Sequence, residues 1–243
     1  MKRIYVATAV ASLLFPASAL AAGRIGALAN GATGVMGTDV IRTFLILTLL
    51  AVVPAILIST TSFIRIVVVL SMTRHAFGMP ETPPNSVLVS LALFLTAFTM
   101  APTLNAVNSG ALGPLLSGTL GVEQAIAKGS APLRDFMLAQ TRDSDIEAIY
   151  AIAKTPVPDR PEQVEILKLT PAFILNELRV SFTIGFVILL PFLLIDLVVS
   201  SILLALGMMM VPPATISLPI KILMFVLIDG WSLILQGVLG SFR

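Results

Sequence analysis

Apolar positions in this chain gather into long blocks instead of alternating with polar ones. The first block runs from Thr43 to Ile64 without a charge and the second from about Ser86 to Leu104. The third runs from Val180 to Leu206 with Asp196 inside, and the fourth from about Ile216 to Leu239 with Lys221 and Asp229 inside. Each is long enough to span a bilayer as a helix, which takes about 20 residues. Pro54, Pro102, Pro191 and Pro219 lie within or at the edges of these blocks, where each removes a backbone donor and tends to kink or end a helix. The pattern therefore predicts kinked helical hairpins. Further prolines, Pro80, Pro83 and Pro84 before the second block and Pro212 and Pro213 before the fourth, punctuate the connections.

Polar residues concentrate between the second and third blocks. Asn105 to Arg179 opens on a small, Gly-rich stretch and continues, from Glu123 to Lys168, as the only well-charged part of the chain. There Leu133, Phe136, Met137, Ile146, Ile149 and Tyr150 fall at amphipathic-helix spacing, and Ser144 with Glu147 has the form of a capping box. This predicts a small helical segment in water.

The first residues read as a secretory signal. Lys2 and Arg3 precede an apolar run from Ile4 to Phe15, and Ala19-Leu20-Ala21 before Ala22 fits the small-x-small cleavage rule. Cleavage after Ala21 places the mature N-terminus outside the cytoplasm. The expected organisation is a signal at 1–21, an N-terminal periplasmic segment at 22–42, a first apolar hairpin at 43–104, a periplasmic helical segment at 105–179, and a second apolar hairpin with a Met-rich loop at 180–243. The positive-inside test on this layout is weak. Its first inner loop offers Arg65 and Arg74, and the Met-rich loop offers no cation. Some blocks are therefore expected to pack on other protein chains and not to cross lipid alone.

Composition agrees with a membrane class. Hydrophobic residues make up 57% and charged residues 12%, against about a quarter charged in soluble domains. Mean hydropathy is +1.00. The net charge of +2 comes without a basic run, so nucleic acid is not an expected partner. Cysteine is absent, which removes disulfides, thiolate metal sites and cysteine nucleophiles.

Enzyme chemistry finds no support. The chain has no Walker loop, dinucleotide fingerprint, HExxH or nucleophile elbow. The single histidine, His75, stands beside Arg74 in an expected loop with no second metal-type ligand near it in sequence. No cofactor or metal is expected.

Charges inside the apolar blocks carry more information. Glu177 lies at the start of the third block, Asp196 in its middle, and Lys221 and Asp229 in the fourth. Ionisable groups at bilayer depth cost roughly 2.5–3.5 kcal/mol on insertion scales, so these residues should face protein or water. A salt bridge that registers hairpin arms or subunits is the plainer role, and a proton relay the other. Met208, Met209 and Met210 follow Gly207 and precede Val211-Pro212-Pro213. Thioethers suit Cu(I), yet no Cys, His or second Met array joins them. Core packing and a compliant seal are the remaining readings.

The runs IGFVILLPFLLIDLVVSSILLALGMMMVPPATISLPIK and FVLIDGW, with TSFIRIVVVLSMTRHAFGMPETPPN and VLVSLALFLTAFTMAP upstream, resemble the FliP family of flagellar type III export-gate proteins. PAFILNELRVSF is a further match that departs at Asn176 and Val180. The resemblance implies an all-α membrane protein of kinked hairpins, a non-enzymatic subunit of an inner-membrane ring in the flagellar basal body. It implies a homo-pentamer assembled with FliQ and FliR, with FlhB and FlhA nearby, that passes unfolded flagellar proteins outward. It further implies that Met208, Met209 and Met210 form a pore gasket, that Glu177 and Lys221 make inter-subunit contacts, and that the hairpins are raised from the bilayer plane. The alternatives are an injectisome export-gate subunit, a small-solute or ion transporter using Asp196 and Lys221, and a purely structural membrane scaffold.

Overall fold

A computed structural model describes residues 36–79 and 81–242. The expected signal and its cleavage site lie outside the described residues, as does most of the 22–42 segment. All regular structure among the described residues is helical: α1 (Met36–Thr60), α2 (Phe63–Ala76), α3 (Asn85–Thr99), α4 (Ala101–Val107), a π-helical turn (Asn108–Leu112), α5 (Gly113–Leu116), α6 (Val122–Gln140), α7 (Asp143–Ile152), a 3-10 turn (Pro161–Gln163), α8 (Ile166–Ala205), α9 (Pro213–Leu227) and α10 (Gly230–Leu239). The chain divides into two compact units, Met1–Pro54 and Ala55–Arg243. Of the first, only the N-terminal part of α1 is described.

The kinks are present, but most do not sit on the prolines. The end of α1 meets α2 at 78°, α3 meets the helical stretch Ala101–Leu116 at 64°, and α9 meets α10 at 67°. At the first bend the Thr60 and Thr61 hydroxyls donate to the Ile56 and Leu57 carbonyls at 2.8 and 2.6 Å. Such side chains compete with the helix for its own acceptors. At the third bend Asp229 adopts φ 50°, a left-handed conformation that α9 cannot continue through. Only the second bend has a proline at hand, Pro102 in the first turn of α4.

α8 is longer than the third apolar block. It runs unbroken for 40 residues through Pro171 and Pro191, because each proline deletes one backbone bond while the flanking turns keep theirs. Residues 166–179, read as part of the periplasmic segment, are its first turns. Alone among the described helices it is long and apolar enough to cross a membrane, and counting each bent pair as one span raises the number to four. The capping box is also corrected: α7 starts at Asp143 with Arg142 before it and no side-chain cap. His75 belongs to the last turn of α2 and not to a loop, with Nδ1 2.7 Å from the Ser71 carbonyl.

Two apolar clusters lie along α8. Its first turns contribute Leu169, Ala172 and Phe173 to a cluster with Met137 of α6 and Ile146 and Tyr150 of α7. Farther along, Phe192 packs with Ile66, Val69 and Leu70 of α2, Phe225 of α9 and Ile234 of α10. Phe77 meets Phe192 and Phe225 edge-on, with centroids 5.2 and 4.7 Å apart. Each such pair contributes about 0.5–1.5 kcal/mol beyond area burial. A Cβ at Gly185 would overlap the Met72 side chain, so the glycine sets how closely α8 lies on α2.

Candidate functional site

Arg65 occupies α2 amid apolar neighbours, and the burial of Ile66, Val69 and Leu70 carries its guanidinium into the protein. There every N–H has an acceptor. Nε donates to Glu177 Oε2 at 2.8 Å, and Nη2 donates to Glu177 Oε1 and, at 3.3 Å, to Gln140 Oε1. Nη1 donates to the Ser241 carbonyl at 2.9 Å and its hydroxyl at 3.0 Å. The Phe242 ring lies 4.0 Å from Arg65 Cζ, covering the guanidinium face. Arginine has five donors; these contacts use all of them. A buried ion pair offsets its desolvation cost only with such complete bonding.

The surroundings extend this node toward α6 and α7. Asn176 Nδ2 donates to the Gln140 carbonyl at 2.5 Å, which orients the amide and leaves Oδ1 buried without a hydrogen-bond partner. One turn away, Arg179 grips Asp145 at the start of α7 through two bonds of 2.7 Å. α8 is thereby pinned to both α6 and α7.

A second ion pair lies deeper in the apolar blocks. Lys221 Nζ donates to Asp196 Oδ2 at 2.6 Å and to the Ala76 carbonyl at 3.3 Å. The side-chain exposures are unequal, 6% for Lys221 and 40% for Asp196. The pair ties α8 to α9 and to the end of α2, and the buried Ser217 of α9 adds a further side-chain hydrogen bond to Asp196.

The methionine loop rests on a defined turn. Gly207, at φ 71°, sends its N–H to the Leu204 carbonyl at 3.0 Å, and Met208 sends its own to Leu203 at 2.9 Å. These two bonds form a Schellman motif, which favours glycine at the left-handed position. Pro212 and Pro213 then start α9. Met208, Met209 and Met210 are 44%, 81% and 96% exposed, so three apolar side chains project from a rigid base.

Among the residues singled out from sequence, Asp196 and Lys221 come together. Within one chain Glu177 pairs with Arg65 and Lys221 with Asp196. Asp229 makes no ion pair among the described residues and serves the α9–α10 turn. By sequence Arg65 is an inner-loop cation, although it stands among apolar residues as Asp196 does. Its partners Gln140 and Ser241, 75 and 176 residues away, leave no local signal. Among the described residues no group of three or more His, Cys, Asp or Glu side chains is placed to hold a metal ion.

The chain is 49% identical over 215 residues to the flagellar biosynthetic protein FliP of Pectobacterium carotovorum subsp. carotovorum, covering 88% of this chain and 83% of that protein. It is 43% identical over 241 residues to the protein of the same name from Caulobacter vibrioides, covering 99% and 90%. It is 45% identical over 205 residues to the Bacillus subtilis protein of that name, covering 84% and 93%. The FliP family model matches residues 46–238, which take in α2 through α10, both ion pairs and the methionine loop, and the chain belongs to the FliP family.

Proposed function

We infer that this chain is a structural, channel-forming subunit of the flagellar type III protein export gate. It acts in the inner membrane, and its passage admits unfolded flagellar proteins. The observation that carries the reading is the methionine loop: three adjacent thioethers, all exposed in one chain, held out on a glycine turn. Flexible unbranched side chains deform around varied surfaces while excluding water, as a closure that passes many sequences requires.

The rest of the surface supports assembly. Leu194, Leu197, Leu223, Val226 and Leu227 on the α8–α9 hairpin are all exposed, and of the most apolar window of α8 only 17% is buried. Large open apolar faces of this kind mark surfaces that protein or lipid covers. In this reading the cover is a homo-pentameric ring with FliQ and FliR, beside FlhB and FlhA. The signal is removed after Ala21, and residues 22–42 and 105–179 face the periplasm. The flagellar reading is favoured over the injectisome because the relatives named above are flagellar proteins.

Replacing Met208, Met209 and Met210 together by Ala is the test, in a motile bacterium lacking its own homologue. The altered complex is expected to assemble, seen on native gels, and to admit ions or a small dye that the original excludes. A complex that assembles, exports and stays as tight as the original would show that the loop is not the seal. Separately, Edman sequencing of the membrane-extracted chain should begin at Ala22, and a retained Met1 would overturn the topology.

A further inference from the structure

The short segment after α10 does more than end a helix. Ser241 supplies acceptors for both Nη1 donors of Arg65, and Phe242 covers the guanidinium face. Its own placement is fixed locally: Ser241 Oγ donates to the Val238 carbonyl at 2.6 Å, and the Ser241 N–H reaches the same carbonyl at 3.2 Å. Two of the five donors of a buried cation thus depend on a two-residue strap.

Beside the strap lies a polar cavity of about 460 Å³ whose lining includes Arg65, Gln140, Thr141, Asn176 and Ser241. It is roomy and polar enough for water, and the unpartnered Asn176 Oδ1 belongs to a residue on its wall. Were the strap to lift, the freed Nη1 donors would gain water from this cavity instead of being stranded in apolar surroundings. Glu177 and Gln140 would still hold the other donors. Opening therefore costs two charge-assisted hydrogen bonds and a stacked ring, far less than breaking the whole node.

We propose that Ser241–Phe242 is a displaceable strap that closes Arg65 and the polar cavity beside it, so that its release admits water to the guanidinium and to Thr141 on the cavity wall. Unlike Glu177, the strap can leave Arg65 without abandoning a buried charge. Arg65 is its positioning residue: it has no catalytic role and acts by holding Gln140 and Glu177 together.

The chain contains no cysteine, so one introduced thiol reports cleanly. Thr141→Cys places it on the cavity wall, at a residue only 9% exposed. Maleimide labelling is followed in membranes containing the otherwise complete chain, normalised to a second protein carrying Met210→Cys. A chain stopped after Gly240 should label at position 141 about tenfold faster or more, because it loses two hydrogen bonds to a charged group. Phe242→Ala should give a smaller rise, and Phe242→Tyr should match the original. Unchanged labelling in both the stopped chain and Phe242→Ala would overturn the proposal. If the stopped chain fails to accumulate, Phe242→Ala decides alone, a rise supporting the strap and no change refuting it. Labelling is read whether or not protein is exported, so failure of the gate reading leaves this result interpretable.

Discussion

Two ion pairs set different demands at single residues. Arg65 and Glu177 are both buried, so Glu177→Ala leaves a buried guanidinium with two of its five acceptors gone. Removing one partner of a buried pair costs roughly 3–5 kcal/mol. The detergent-extracted variant should melt well below the original, and Glu177→Gln, which keeps one acceptor, should fall between. An unchanged melting temperature for Glu177→Ala would remove Arg65 from its central place. Lys221 and Asp196 are expected to behave as an exchangeable pair. Lys221→Asp should impair assembly by setting two carboxylates together, and adding Asp196→Lys should restore part of it, as read on native gels. Adding Glu177→Lys to Lys221→Asp should rescue nothing, since Glu177 serves Arg65. Rescue by Glu177→Lys and not by Asp196→Lys would mean that the pairs form between chains.

Among the elements, the turn after α8 is the most exacting. Its left-handed residue carries no Cβ, and placing one there costs roughly 1–2 kcal/mol for ordinary L-residues. Gly207→Val should therefore fray the Schellman turn and speed hydrogen exchange at the Gly207 and Met208 amides relative to the α8 interior. Equal exchange would show that the loop base is not held by that turn. This element was legible beforehand: Gly207, the methionines and Pro212-Pro213 announce a helix stop, a loop and a restart in a few residues. The apolar blocks and the amphipathic stretch around Phe136 and Tyr150 were legible for the same reason, because burial leaves a local pattern. The bends were legible only as a tendency. Pro191 reads as a breaker, yet α8 passes through it, while the true stops lie at Thr60-Thr61 and Asp229, whose effect depends on backbone geometry. Arg65 escaped because its partners lie on α6, on α8 and after α10, and no periodicity links them.

At the scale of the molecule, the long apolar faces ask what covers them. Lipid and protein make different demands on the same position. Lipid is fluid and accepts a larger apolar group, whereas a packed interface resists added volume at about 1–3 kcal/mol per site. Leu227 of α9 distinguishes them, being 75% exposed in one chain and so contributing little to its own fold. Leu227→Trp is expected to leave the amount of extractable protein unchanged and to lower both the yield of assembled complex on native gels and the secretion of flagellar subunits. Leu227→Asn, which a lipid-facing position tolerates poorly and a packed one also loses, should be deficient under either cover and serves as the control. If Leu227→Trp assembles and exports normally while Leu227→Asn fails, the face lies against lipid, and the α8–α9 hairpin crosses the bilayer as an exposed span and not as part of a protein ring. A defect in both is the outcome expected of a surface built for neighbouring subunits.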